Sequence, residues 1–193
     1  MHKLIFIHGG EVFKNDKQYL DYLLSRELEV FESKESIKKW KEELFEKLSL
    51  RGWKILVPQM PCKENAKYEL WKTYFEKFTG ELDKSSALVG HSLGASFLLQ
   101  YFQENELGHF AQLHLVAPAY NLNAGGFVHK ENFSLLEKQF DKIFIYHSQD
   151  DPVVPFEDSK TLASFIPKAE FIQFQNKGHF LLGASPEIEK YLL

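Results

Sequence analysis

The sequence predicts a three-layer α/β/α sandwich built on a mostly parallel sheet of about six strands. Two patterns carry this. Short runs rich in β-branched and aromatic residues recur along the chain, and most are nearly continuous apolar strings, as expected of strands covered on both faces. Amphipathic helical patterns lie between them, and strands alternating with helices through right-handed crossovers give a parallel sheet with helices on each side. The 193 residues, 44% hydrophobic and 26% charged, suit one globular domain over 1–193 with a sizeable core.

The first strand runs from Lys3 to His8 and leads into Gly9 and Gly10. Residues 11–35 then break the alternation. Tyr19, Leu20, Leu23, Leu24, Leu28, Val30 and Phe31 carry more apolar surface than an exposed loop keeps. The stretch is expected to be a lid or an extra helix packed on the domain edge. From Ile37 to Leu48, the residues Ile37, Trp40, Leu44, Phe45 and Leu48 form one stripe with lysines and glutamates opposite, which reads as an amphipathic helix. A strand from Trp53 to Pro58 follows, then a helix striped by Tyr68, Trp71, Phe75 and Phe78. Strands are expected at Ser86 to Val89, Gln112 to Ala117, Lys142 to His147 and Ala169 to Phe174. Helices are expected at Leu93 to Phe102, Ser159 to Phe165 and Pro186 to Leu192. Ser159 and Ser185 are expected helix N-caps, the second followed by proline at the first helical position.

Composition excludes some classes of partner. The net charge is −4, and the lysines between 34 and 47 alternate with glutamates as on a solvated face, which argues against nucleic acid and anionic membranes. The one cysteine, Cys62, forms no internal disulfide and fits a reducing compartment. The apolar run in "MHKLIFIHGG" is too short for a signal peptide, and no window approaches a membrane span. The expected location is the cytoplasm.

The stretch "SALVGHSLGASFLL" (86–99) ends a strand in Gly90-His91-Ser92-Leu93-Gly94 and starts a helix at once. The pentapeptide alone arises by chance in about one such chain in twenty. With a strand before it and a helix after it, however, it matches a strained turn that raises a serine hydroxyl above a sheet. Ser92 is therefore the candidate nucleophile. A hydroxyl needs a base, and the base needs a carboxylate to orient it. Active groups in this architecture lie in loops at the carboxyl ends of parallel strands. There "HSQDDPVVP" (147–155) supplies an acid and "QNKGHF" (175–180) a histidine. Such a serine turn goes with the chain order serine, acid, histidine; His2, His8, His91, His109, His114, His129 and His147 all precede Asp150 and Asp151, which leaves His179 as the base. Asp151 is favoured as the acid because Asp151-Pro152-Val153-Val154-Pro155 fits a D-x-x-V-P pattern, with Asp150 the alternative. Two backbone N–H groups are needed where oxyanion charge develops. Leu93 supplies one and Gly10 is the choice for the other, with Glu11 the alternative. His8 is expected to brace that loop by hydrogen bonding.

Together "IHGG" (7–10), "GHSLG" (90–94), "DDPVVP" (150–155) and "GHF" (178–180) resemble the α/β-hydrolase superfamily over nearly the whole chain. Size and loop motifs look most like the compact serine hydrolases related to retinoblastoma-binding protein nine and the YdeN-like subgroup. The resemblance implies a sheet lacking the first two strands of larger hydrolases, and Ser92, Asp151 and His179 as a catalytic triad. It implies a small-molecule acyl substrate (an ester, thioester or amide) and no cofactor. Residues 11–35 are longer than this subgroup leads one to expect. Met60-Pro61-Cys62-Lys63-Glu64 departs at its first position from the L-x-C-x-E motif that names the subgroup, and is read as coincidence. No H-E-x-x-H pattern or cysteine cluster suggests a metal, and no G-x-G-x-x-G follows the first strand. A binding protein on the same scaffold, or acyl transfer to an acceptor other than water, stays open at this level.

Overall fold

The computed structural model describes residues 1–26, 40–181 and 185–192. Six strands form one sheet: β1 (Lys3–Ile7), β2 (Lys54–Leu56), β3 (Ser86–His91), β4 (Phe110–Val116), β5 (Phe140–Ser148) and β6 (Ala169–Phe174). Their order is β2-β1-β3-β4-β5-β6, and every neighbouring pair is parallel. The described helices are α1 (Asp16–Ser25), α2 (Trp40–Leu50), α3 (Tyr68–Thr79), α4 (Leu93–Glu104), α5 (Ser134–Lys138) and α6 (Phe156–Phe165).

The apolar strings in the strands sort onto two faces with the period of two that a pleated strand imposes. Ile5 and Ile7 of β1, Leu88 of β3 and Ile143 and Ile145 of β5 enter one core. It is completed by Trp71 and Phe75 of α3 and by Phe97, Tyr101 and Phe102 of α4. Leu4 and Phe6, Ala87 and Val89, and Phe144 and Tyr146 face the other way, against Trp40, Leu44 and Leu48 of α2. Three layers follow directly. The abundant aromatics pack edge to face, as in Phe75 on Tyr101 (4.9 Å, 74°) and Phe102 on Phe140 (4.9 Å, 79°), the geometry their quadrupoles favour.

Several expectations are corrected. Ser159 is no cap, because α6 already starts at Phe156 with Pro155 before it; Ser159 is buried inside the helix. In place of a terminal helix there is a short 3₁₀ turn, Ile188–Lys190. The Ser185 hydroxyl there accepts the Glu187 N–H (2.9 Å) in a local turn. Of the stretch 11–35, the described part contains α1, capped by Asn15, whose Oδ1 accepts the Gln18 N–H (2.9 Å). Leu20 and Leu24 on α1 are exposed, while Tyr19 and Tyr22 of the same helix pack on Phe13 (ring centroids 5.2 and 5.0 Å). Leu28, Val30 and Phe31 lie outside the described residues, as does Ile37. Among the described residues, no helix is long and apolar enough to cross a membrane.

Candidate active site

The turn after β3 takes the predicted form. Ser92 has φ 55° and ψ −121°, a conformation a residue with a Cβ adopts only when its surroundings over-determine it. Here they do. The Ser92 N–H donates to the Val116 carbonyl at the end of β4 (2.8 Å), and its carbonyl accepts from Ala95 and Ser96 in the first turn of α4 (2.9 and 3.2 Å). A Cβ at Gly94 would lie 2.2 Å from the Ile7 carbonyl oxygen, and one at Gly90 would lie 2.6 Å from the Ala95 backbone. Glycine is needed at both positions because α4 starts hard against β1 and β3.

The loop after β1 lies beside the turn: a Cβ at Gly9 would come 3.2 Å from Ser92 Cβ. His8 braces this loop as expected. The Met60 N–H donates to its Nε2 (2.9 Å), so Nδ1 carries the proton and donates to the Gly9 carbonyl (2.6 Å). The Glu11 N–H is committed to the Lys63 carbonyl (2.7 Å).

Asp151 and His179 are brought together across 28 residues, with His179 Nδ1 donating to Asp151 Oδ2 at 2.7 Å. The Asp151 side chain has no exposed surface. Its Oδ1 accepts the N–H groups of Val153 (2.8 Å) and Val154 (3.0 Å). Burial pushes this carboxyl up. The bonds from His147, His179 and the two backbone N–H groups outweigh burial and hold it well below the usual carboxylate range. Asp150 takes another role: its Oδ1 accepts the Ser148 hydroxyl (2.5 Å) and the Gly178 N–H (2.9 Å). It thereby ties the acid loop to the histidine loop.

The backbone at His179 is fastened to the Ser92 turn. His91 Nε2 donates to the His179 carbonyl (2.9 Å), the two rings lie 5.1 Å apart, and Trp40 Nε1 donates to the Phe180 carbonyl (2.7 Å). Burial, then the neighbouring His179, lowers His91 to about 4, so this imidazole is neutral and serves as a strut. Sequence reasoning missed His91, Trp40 and above all His147, whose Nε2 also reaches Asp151 Oδ2 (3.1 Å). The signal for His147 was its place at the end of a strand, four residues before the acid. Among the described residues, no group of three or more His, Cys, Asp or Glu is placed to hold a metal.

The serine hydrolase family model matches residues 32–187, which include Ser92, Asp151 and His179. The chain belongs to the serine hydrolase family. Its sheet and flanking helices are those of the α/β-hydrolase fold, as its structural likenesses show. The ydeN gene product of Bacillus subtilis superposes with a TM-score of 0.75 at 20% identity, covering 100% of this chain and 97% of that one. A YdeN-like hydrolase of Pectobacterium atrosepticum gives 0.65 at 15% identity, covering 98% and 86%. Est1E of Butyrivibrio proteoclasticus, solved with ferulic acid bound, gives 0.60 at 14% identity, covering 99% and 86%. No curated protein sequence matches this serine hydrolase.

Proposed function

We propose that this hydrolase cleaves a small carboxylic ester, thioester or amide through an acyl-enzyme on Ser92. The observation that carries the proposal is the strained Ser92 turn fastened directly to the loop that presents His179 on Asp151. Ser92 Oγ attacks the acyl carbonyl while His179 takes the hydroxyl proton. Asp151 occupies Nδ1 of that ring, which leaves Nε2 as the basic nitrogen. The Leu93 N–H, first in α4 and without an intrahelical acceptor, and the Gly10 N–H stabilise the oxyanion. Gly10 is preferred to Glu11 because the Glu11 N–H is already spent on Lys63. The intermediate collapses and the leaving group departs with the proton from His179. Water, deprotonated by the same imidazole, then attacks the acyl-serine to release a carboxylic acid and free Ser92.

The ferulic acid held by Est1E supports an acyl substrate. The proposal includes a cytoplasmic setting, supported by a sequence with a single cysteine. A fluorophosphonate probe reacts with a serine whose base and oxyanion donors are assembled. Wild-type protein should be labelled and should hydrolyse p-nitrophenyl acetate, whereas Ser92→Ala should do neither. A folded wild type that takes no label would overturn the proposal.

A further inference from the structure

Beside the acid, the mechanism above leaves a buried imidazole unused. His147, the penultimate residue of β5, has no exposed surface, and both its nitrogens are engaged. Ser159 Oγ lies 2.6 Å from Nδ1. On the other side, Nε2 faces Asp151 Oδ2 and the Val154 carbonyl, both at 3.1 Å. Two acceptors at Nε2 fix the tautomer. The proton sits on Nε2 and is shared between them, while the Ser159 hydroxyl donates to Nδ1. The opposite tautomer would point a lone pair at a buried carboxylate.

Asp151 then receives four donors: Val153 and Val154 on Oδ1, His147 and His179 on Oδ2. A carboxylate offers about four lone-pair directions, so none is left for the group to turn toward. We propose that His147 is a positioning residue, a second imidazole that anchors Asp151 Oδ2 so that its remaining lone pair faces His179 Nδ1. Ser159 of α6 acts one step further out by fixing the His147 tautomer. The Phe156 ring packs against this imidazole, with ring centroids 5.6 Å apart and planes inclined by 67°. This inference rests on the reading that Asp151 orients His179 as a base. It adds that the orientation is set from β5 and α6 as well as from the acid loop.

The test uses the full chain, p-nitrophenyl acetate turnover and proton NMR with ¹⁵N-histidine labelling. His147→Leu keeps apolar volume but removes the donor. It should lower kcat about tenfold, the low end for losing a hydrogen bond to a charged group, with KM within about twofold. His147→Gln, which returns an N–H near the position of Nε2, should recover most of the loss, and Ser159→Ala should cost a few-fold in kcat. Beside the imidazole N–H protons that His8, His91 and His114 give to neutral oxygens, the wild type should show two further downfield ones on the Asp151 carboxylate, from His179 and His147, and His147→Leu should remove one of this pair and shift the other. The proposal is overturned if His147→Leu and Ser159→Ala lower only the melting temperature and leave kcat intact. It is equally overturned if the wild type shows only one of this pair. Should His147→Leu fail to fold, the glutamine and alanine variants and the wild-type spectrum still decide. Both protons in a wild type that takes no label at Ser92 would instead overturn the function proposed above, and the positioning role with it.

Discussion

At φ 55°, Ser92 sits where a Cβ is crowded, and the strain is held by bonds at both ends of the residue: Val116 on its N–H and the first turn of α4 on its carbonyl. The same over-determination holds at Asp151, whose four donors come from a turn and two histidines. It separates the two adjacent carboxylates by environment. Asp151 is enclosed and bonded to imidazoles, whereas Asp150 carries a loop-to-loop tie. Asp151→Asn should lower kcat/KM by about 10⁴, because an amide there favours the wrong tautomer of His179. Asp150→Asn keeps an oxygen that can accept from Gly178 and should cost less than about tenfold. Steady-state kinetics on both variants decides the assignment, and the larger loss at Asp150 would reverse it.

Among elements, the contact that matters most is the start of α4 against the end of β1. The Gly94 position leaves no room for a methyl group, since the obstructing atoms are the carbonyl oxygens of Ile7 and His8 at 2.2 and 2.7 Å. Backbone cannot swing aside as a side chain can. Gly94→Ala should therefore destabilise by about 3 kcal/mol or more in urea unfolding, and lose fluorophosphonate labelling even where it folds. An alanine variant with wild-type stability would mean that α4 can slide away from β1. The start of α6 explains why Ser159 misled as a cap. α6 begins three residues earlier, at Phe156 after Pro155, which leaves the serine hydroxyl inside the first turn and free to serve His147.

For the whole molecule, the buried histidines set the response to acid. Burial lowers His91 to about 4 and His114 to about 3, and also lowers His8 and His129. His114 is satisfied as a neutral ring, accepting from the Tyr146 hydroxyl (2.8 Å) and donating to Gln112 Oε1 (3.2 Å). Below about pH 6.5 the unfolded chain binds protons that these folded rings refuse, so stability falls as pH drops from there toward the folded values. Above about pH 6.5 their contribution is constant. Asp151, depressed in the fold, adds a loss in the same direction only below about pH 4. His91 and His114 together should cost about 4 kcal/mol at about pH 5, seen as a melting temperature about 10 °C lower than at about pH 7.5. His114→Gln should remove part of that slope. A flat curve would show that these rings take up protons in the native state.

The sequence by itself determined the layered fold and the Ser92 turn. Apolar period, strand length and the glycine spacing around Ser92 are local properties, and local sterics dictate what they form. It also determined the chain order of serine, acid and histidine. What only the tertiary structure decided is which polar groups share a partner across long separations. His147 looked like a strand residue and Ser159 like a cap because their chemistry depends on a carboxylate and a ring supplied by other elements. The commitment of the Glu11 N–H to Lys63 is of the same kind. A hydrogen bond between loops is fixed by where the sheet and helices bring the chain. Nothing in the neighbouring residues specifies that partner.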